Sequence, residues 1–317
     1  MSEFDIVKVI DWYKKYHRLT NYISSAMLYL KDNYFLEEKL KPANIKERIL
    51  GHWGTVPGIN FIYAGLNFAA KKYEKKLMLV SGPGHGAPAI LSNLLIEGTL
   101  EDFYPELTPT KVGIEKLIKS FSWPGGFPSH SGPMVPGTIL EGGELGYSLG
   151  TAFGAVLDNP DLIVACIVGD GEAETGPLAA SWHSNKFINP KKDGTVLPIL
   201  HLNGYKISGP TIFGTMSDEE IRKYFEGLGY EPLFVNQYDA TDVYIDFLEI
   251  LIQAFERILQ TKNDWTNYLT TKPKWPVIIL RTMKGWTGPK LLRDEKIEDN
   301  NLSHGIPLLN PKHDELE

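Results

Sequence analysis

The sequence predicts an α/β fold in which a mostly parallel β-sheet is covered by helices on both faces. Short, continuously apolar segments recur from residue 77 onward. Segments with helical periodicity separate them, and each apolar segment ends at a glycine-containing polar turn. A strand that is apolar on both sides must be covered on both sides, which is the situation of parallel strands joined by helices.

The expected elements follow in chain order. The first 50 residues are predicted to be a helical segment packed on a domain formed by residues 51–317, because apolar residues recur there at helical spacing. A later helix is predicted to begin at Ser217, where Glu220 completes a capping box. The expected strands are 77–80, 162–168, 196–202 and 276–282, and the expected helices are 87–96, 144–157, 172–187 and 242–259.

Composition and charge exclude several classes of protein. The chain has 317 residues, of which 43% are hydrophobic, and its net charge is −7. The acidic balance and the lack of a Lys/Arg cluster argue against nucleic acid or a membrane surface as a partner. Its apolar segments are shorter than the roughly 18–20 residues that span a bilayer, and its first residues do not resemble a signal peptide. The single cysteine, Cys166, fits a reducing compartment, so a cytoplasmic location is expected.

Polar residues follow two of the predicted strands, at the point where each strand ends. The Gly-Asp-Gly turn at 169–171 contains Asp170, and the Asn-Gly-Tyr turn at 203–205 contains Asn203. Each turn alone is commonplace. Because the carboxyl ends of parallel strands meet at one edge, the two side chains are expected to converge there. Carboxylate and amide oxygens suit Mg²⁺, so the pair favours a magnesium and diphosphate site.

Residues 122–143 form a loop rich in Gly, Pro and Ser, and its length predicts a structured cover over a site. His85 and His130 lie in Gly/Pro-rich segments, where a histidine is more often a surface residue than a catalytic one. Four further residues of polar or aromatic type are expected to serve packing or supporting roles, namely Trp182, His183, Phe187 and His201.

A set of motifs occurs in a fixed order along the chain. The motifs are GHWGTVPG (51–58), SGPGHGAP (81–88), GGFPSH (125–130), EGGELGYSLG (141–150), VGDGEAETGPLAASWHSNKFINP (168–190), LHLNGYKI (200–207) and MKGWTGPK (283–290). The set resembles the N-terminal domain of phosphoketolases over about residues 45–307. The resemblance implies a thiamine-diphosphate-binding fold, with thiamine diphosphate and Mg²⁺ as cofactors. It also implies cleavage of xylulose 5-phosphate or fructose 6-phosphate with inorganic phosphate, giving acetyl phosphate and an aldose phosphate.

The resemblance assigns roles to particular residues. Asp170, Asn203 and the Tyr205 carbonyl would bind magnesium, and backbone amides at Gly171 and Glu172 would approach the diphosphate at a helix start. The implied cofactor-binding set is His85, Gly146, Gly169, Asp170, Gly171, Glu172, Asn203 and Lys284. Within this set, Gly146 would lie against the aminopyrimidine ring through its backbone. The implied catalytic set is His52, His85, His130, Lys284 and His304. All of these residues are expected to line one crevice.

The resemblance also implies that the site is shared between two domains. In the family, the carboxylate that contacts the aminopyrimidine ring lies on a pyrimidine-binding domain, and that domain and a C-terminal domain are expected to be absent here. The expected partners are therefore a sugar phosphate, inorganic phosphate, and either a separate pyrimidine-binding half or further copies in a homo-oligomer. The alternatives are a non-catalytic binding module or relic and a subunit of a split transketolase-like enzyme. The GDGEAETGP and SWHSNKF motifs favour the phosphoketolase interpretation over transketolase.

Overall fold

A computed structural model describes residues 3–310, so the last part of the expected domain 51–317 lies outside the described residues. Contacts divide the described chain into two compact units. Unit 1 comprises residues 3–13, Ile62–Pro83 and Glu144–Met283, and unit 2 comprises Lys14–Phe61, Gly84–Gly143 and 284–310. The expected domain boundary at residue 50 stays a prediction.

The sheet of unit 1 has five parallel strands in the order β1-β2-β3-β5-β4. Residues at consecutive positions of the central strands are buried. Because consecutive side chains of a strand point to opposite faces, both faces of the sheet are covered, as predicted. The strands are β1 (Lys76–Ser81), β2 (Leu162–Gly169), β3 (Thr195–Leu202), β4 (Tyr230–Asn236) and β5 (Trp275–Arg281).

Helices account for most of the remaining regular structure. In unit 1, α6 packs on the first three strands, α10 on β4, and α11 on β4 and β5. The helices are α1 (Glu3–Tyr29), α2 (Val56–Tyr73), α3 (Ala87–Ile96), α4 (Thr99–Phe103), α5 (Lys111–Ser120), α6 (Ser148–Val156), α7 (Asp170–Ala173), α8 (Gly176–Ser181), α9 (Ile212–Thr215), α10 (Asp218–Gly227) and α11 (Val243–Asn263).

Unit 2 contains the helices α3, α4 and α5, and a short antiparallel pair, β6 (Leu291–Leu292) with β7 (Glu295–Lys296). Three 3₁₀ turns, Pro42–Asn44, Gly84–Gly86 and Asn301–Ser303, lie in its loops. Within residues 3–310, no helix is both long enough and apolar enough to cross a bilayer.

Local signals explain several helix boundaries. The predicted capping box is confirmed: the Ser217 hydroxyl accepts a hydrogen bond from the Glu220 amide at 3.3 Å, and the Glu220 carboxylate accepts one from the Ser217 amide at 2.8 Å. The helix α11 begins after Asp242, whose carboxylate accepts a hydrogen bond from the Tyr244 amide at 3.0 Å. Both contacts satisfy amide groups that a helix start leaves without partners.

The structure corrects two predictions of secondary structure. The single helix expected at 172–187 is divided into α7, α8 and a 3₁₀ turn, Trp182–Lys186. Thr175 is extended and precedes α8, and Pro177 lies in the first turn of α8. Proline is tolerated in the first turn of a helix but not in its interior, because it lacks the amide hydrogen that an interior residue donates, so a single helix cannot continue through this position. The strand β4 was not predicted because Glu231 and Pro232 interrupt its apolar pattern. The structure places it at the sheet edge, where a proline is tolerated.

Candidate functional site

The carboxyl ends of β2 and β3 bring two polar turns together in unit 1. In the pairing of these strands, Gly169 lies opposite His201. Asp170 begins α7 directly after β2, and Asn203 follows directly after β3. Both side chains are buried, with 3% and 5% of their surfaces exposed. Their location at neighbouring strand ends agrees with the prediction made from the spacing of the two turns.

The Asp170 carboxylate is held in place by three donors. One oxygen accepts a hydrogen bond from the Gly204 amide at 2.7 Å and from the Thr211 hydroxyl at 3.1 Å. The other oxygen accepts a hydrogen bond from the Gly171 amide at 3.0 Å. The Asn203 side-chain oxygen accepts one from the Tyr205 amide at 3.3 Å. These contacts tie the end of β2 to the turn that follows β3.

The oxygens at this edge suit a hard divalent cation. A carboxylate, an amide oxygen and nearby backbone carbonyls are the donors that Mg²⁺ takes, with phosphate oxygens and water completing its shell. Asp170 and Asn203 supply the first two types, and each already lies within a fixed, buried turn. The residues present therefore fit a magnesium ion that also carries a diphosphate.

A second buried carboxyl group, that of Glu172, lies in the same unit. Its Oε1 atom accepts hydrogen bonds from the Ser148 hydroxyl at 2.7 Å and from the Gly146 amide at 3.2 Å. Burial raises the pKa of the Glu172 carboxyl, although hydrogen bonds from Ser148 and from backbone amides act in the opposite direction. The sequence predicted a role for the Glu172 backbone, and these side-chain contacts were not expected.

Four histidines form a cluster in unit 2. His52 is central: the centroid of its ring lies 5.0 Å from that of His85, 5.3 Å from that of His130 and 5.4 Å from that of His304. The rings of His85 and His304 stack at 5.1 Å. Lys284 belongs to the same unit and is 98% buried. All five residues of the implied catalytic set therefore lie in one unit.

Backbone hydrogen bonds bring the segments that carry the cluster together. The Trp53 amide donates to the Gly305 carbonyl at 2.9 Å, and the Gly285 amide donates to the Gly54 carbonyl at 2.9 Å. The neighbours of His52, His304 and Lys284 are thereby joined. The Ser131 amide donates to the Gly84 carbonyl at 2.9 Å, which joins the neighbours of His130 and His85. The segments are distant in sequence, so only the fold unites them.

The electrostatic environment keeps several of these imidazoles neutral near pH 7. Burial, with charge repulsion from His130 and Lys284, lowers the pKa of His52 to about 4. Burial, with repulsion from Lys284 and His52, lowers the pKa of His304 to about 3. Burial also lowers the pKa of His85 well below its ordinary value. The Nδ1 atoms of His52 and His304 are buried and have no hydrogen-bond partner within residues 3–310.

Neutral imidazoles with buried, unpaired nitrogens can exchange hydrogen bonds with a polar ligand. The lysine in the same unit can add positive charge. Such a cluster suits a ligand that carries hydroxyl groups and a phosphate.

The residues predicted to have packing or supporting roles divide into two groups. Trp182 is fully buried, and His201 is buried with its Nε2 atom 2.9 Å from the Thr282 hydroxyl, as expected. His183 and Phe187 are exposed, and 76% of the Phe187 surface is accessible, so a core role for His183 and a packing role for Phe187 were wrong. The 3₁₀ turn Trp182–Lys186 explains the difference, because it directs Trp182 into unit 1 and its neighbours outward.

Sequence reasoning missed the hydroxyl groups of Thr211 and Ser148, which contact Asp170 and Glu172. Neither residue lies in a pattern that distinguishes it from an ordinary turn or helix-start residue. The expectation that the residues of units 1 and 2 line one crevice stays a prediction.

Comparison with solved structures defines the class of the fold. The chain is similar to a transketolase from Leishmania mexicana, with a TM-score of 0.62 and 18% identity over 94% of this chain and 39% of that one. It is also similar to a transketolase from Pichia stipitis in complex with xylulose-5-phosphate, with a TM-score of 0.59 and 17% identity over 96% of this chain and 39% of that one. The fold is therefore a thiamine-diphosphate-binding fold, as the sequence predicted.

Sequence comparison defines the family. The family described as XFP N-terminal domain matches residues 6–317, and the chain belongs to this family. The chain is 50% identical over 311 residues to a probable phosphoketolase from Bradyrhizobium diazoefficiens, covering 96% of this chain and 39% of that protein. A probable phosphoketolase from Nitrosospira multiformis is 51% identical over 313 residues, covering 95% of this chain and 39% of that protein. The chain thus spans about two fifths of the length of these relatives, and its resemblance to phosphoketolases is confirmed.

Proposed function

We propose that this chain binds the diphosphate end of magnesium–thiamine diphosphate and contributes that half of a phosphoketolase site. The observation that carries the proposal is the convergence of Asp170 and Asn203 at the ends of β2 and β3, fixed by the contact between the Asp170 carboxylate and the Gly204 amide. Family membership supports the same assignment.

Asp170, Asn203 and the Tyr205 carbonyl would hold the metal ion. The amides of Gly171 and Glu172 would face the diphosphate, and Gly169 leaves the backbone accessible at the strand end. When bound, thiamine diphosphate supplies a nucleophilic carbon and an electron sink. The chain's own groups bind and orient the cofactor, and they act as preformed dipoles because their positions are fixed before the ligand arrives.

The histidine cluster would act on the sugar side of the reaction. His52, His85, His130 and His304, with Lys284, would bind the hydroxyl, carbonyl and phosphate oxygens of xylulose 5-phosphate or fructose 6-phosphate and of inorganic phosphate. Neutral imidazoles can donate or accept a proton at different ring atoms, so the cluster can serve both binding and proton transfer. The low pKa values of His52 and His304 support the neutral form.

Turnover would require a pyrimidine-binding half, which would supply the carboxylate for the aminopyrimidine ring and enclose the cofactor. We therefore expect the chain alone to bind thiamine diphosphate weakly, in a magnesium-dependent manner, and to form no acetyl phosphate.

Binding is tested first, by calorimetric titration of the purified chain with thiamine diphosphate in the presence and absence of Mg²⁺. Asp170→Asn should abolish the magnesium dependence while the chain remains folded. Asp193→Asn is a matched control, since Asp193 is a buried acid near the opposite end of β3 that accepts hydrogen bonds from the Asp158 and Asn189 amides. Magnesium-dependent binding that survives in Asp170→Asn would contradict the assignment.

Activity is tested second, by measuring acetyl phosphate from xylulose 5-phosphate and phosphate. If the chain alone forms no acetyl phosphate, and product appears after a pyrimidine-binding half is added, the proposal is supported. Turnover by the chain alone would contradict the need for that half. Magnesium-dependent binding without turnover in either mixture would favour a binding module or relic. Transfer of a ketol group to an aldose without acetyl phosphate would favour a transketolase-like subunit.

A further inference from the structure

The Glu172 side chain has a burial and bonding pattern that a merely structural acid would not need. Only 3% of its surface is exposed, and its Oε1 atom accepts hydrogen bonds from the Gly146 amide and the Ser148 hydroxyl. Its Oε2 atom is buried and has no hydrogen-bond partner within residues 3–310. An unpaired buried carboxyl oxygen destabilises a fold, so its presence calls for an explanation beyond stability.

The backbone around Glu172 is shaped to receive the turn at Gly146. The Thr175 hydroxyl and amide both donate to the Glu172 carbonyl, at 2.8 Å and 3.0 Å, where α7 ends. This break in the helix places Thr175 beside Gly146, which has a φ of +113°. A Cβ atom at Gly146 would meet the Thr175 hydroxyl oxygen at 2.5 Å, so a larger residue would be excluded by space and by conformation.

The other side of the carboxyl group is equally restricted. A Cβ atom at Gly82, the residue after β1, would overlap the Oε2 atom of Glu172. The Gly82 amide itself donates to the Ile167 carbonyl at 2.9 Å, which fixes this glycine against β2. Glu172 is thus enclosed between Gly82 and the turn that runs from Gly146 to Ser148.

We infer that the Glu172 side chain is a positioning residue that holds the Gly146–Ser148 turn in the shape that receives the aminopyrimidine end of the cofactor. The inference rests on the proposed function and deepens it. It divides the recognition of one ligand between two sets of groups. Asp170 and Asn203 would bind the magnesium and the diphosphate, while Glu172 would act through Gly146 on the aromatic end.

The division predicts different effects on two probes. Wild-type chain, Glu172→Ala and Glu172→Gln are titrated with Mg²⁺ plus inorganic diphosphate, and separately with Mg²⁺ plus thiamine diphosphate. Wild type should prefer thiamine diphosphate. Glu172→Ala should keep its affinity for inorganic diphosphate and lose about tenfold in affinity for thiamine diphosphate, the order of effect expected for the loss of a buried hydrogen bond. Glu172→Gln retains an acceptor oxygen and should restore most of the preference.

Two further variants distinguish positioning from general damage. Asp193→Asn should leave the affinity for both probes unchanged. Ser148→Ala removes one donor to Glu172 and should lower the preference partially, which keeps the inference testable if Glu172→Ala does not fold.

Each contrary result has a separate meaning. If Glu172→Ala or Ser148→Ala prefers thiamine diphosphate over inorganic diphosphate as strongly as wild type does, the positioning role is overturned. An equal loss of affinity for both probes in a folded Glu172→Ala variant would overturn it too, because a general structural defect would then explain the result. Lack of magnesium-dependent diphosphate binding in wild type would overturn the proposed function, and the positioning role with it.

Discussion

His17 lies in α1 within unit 2 and should make the stability of the protein depend on pH. Its Nε2 atom is 2.8 Å from the Pro57 carbonyl, and its ring packs against Trp286 with ring centroids 5.0 Å apart. Only 1% of its surface is exposed. Burial lowers the pKa of His17 from 6.5 to about 4, and the hydrogen bond to Pro57 opposes the shift only partially.

The sign of the effect follows from which state binds the proton. Between pH 6.5 and pH 4, His17 is protonated in the unfolded chain and neutral in the folded one. Acidification through that interval therefore favours unfolding, and the stability is recovered as the pH rises again. A shift of this size corresponds to about 3 kcal/mol over the full interval, of which about 2 kcal/mol falls between pH 7 and pH 5.

The measurement is the free energy of unfolding in urea at pH 7 and pH 5, for wild type and for His17→Gln. Glutamine can still donate to the Pro57 carbonyl and does not titrate. Wild type should lose about 2 kcal/mol more than the variant between the two pH values. Other histidines with lowered pKa values, including His52 and His304, titrate in both proteins, so their contributions cancel in this double difference. Circular dichroism and fluorescence must give coincident transitions for the comparison to hold.

Equal losses of stability in wild type and His17→Gln would refute the reasoning, because they would mean that His17 titrates alike in the folded and unfolded chains. A higher stability of wild type at pH 5 than at pH 7 would refute the sign.

Three further outcomes are expected from the structure. Trp182→Ala should destabilise the protein by about 3–5 kcal/mol, and Phe187→Ala from the same motif should change the unfolding free energy by less than about 0.5 kcal/mol, since one ring is buried and the other exposed. Ser217→Ala should lower the free energy of unfolding, measured by heat or urea, by about 1 kcal/mol, because the hydroxyl that accepts a hydrogen bond from the Glu220 amide is lost. Cys166 should resist a thiol reagent at neutral pH until the protein unfolds, because burial raises the pKa of its thiol, and rapid labelling of the native protein would contradict this.

Periodicity predicted much of unit 1 because its central strands are apolar on both sides. The strands β2, β3 and β5 begin and end within about one residue of their predicted limits. The same reasoning missed β4, because an edge strand tolerates polar residues and proline that a central strand excludes. It also joined α7 to α8, since helical spacing of apolar residues continues across the break at Thr175.

The sequence by itself determined the α/β class, the placement of Asp170 and Asn203 at neighbouring strand ends, and the family, because each depends on residues that are close in the chain or separated by one strand connection. Asp170 and Asn203 follow neighbouring strands, so their convergence could be inferred from the order of the elements. The family resemblance grouped the four histidines in one catalytic set, and only the tertiary structure decided how closely their rings approach one another. These histidines, His52, His85, His130 and His304, lie on segments far apart in sequence. Backbone contacts among those segments bring neighbouring ring centroids to distances of 5.0–6.4 Å. The tertiary structure likewise determines the burial of the Glu172 carboxyl, because burial depends on the packing of distant segments, which no local sequence pattern predicts.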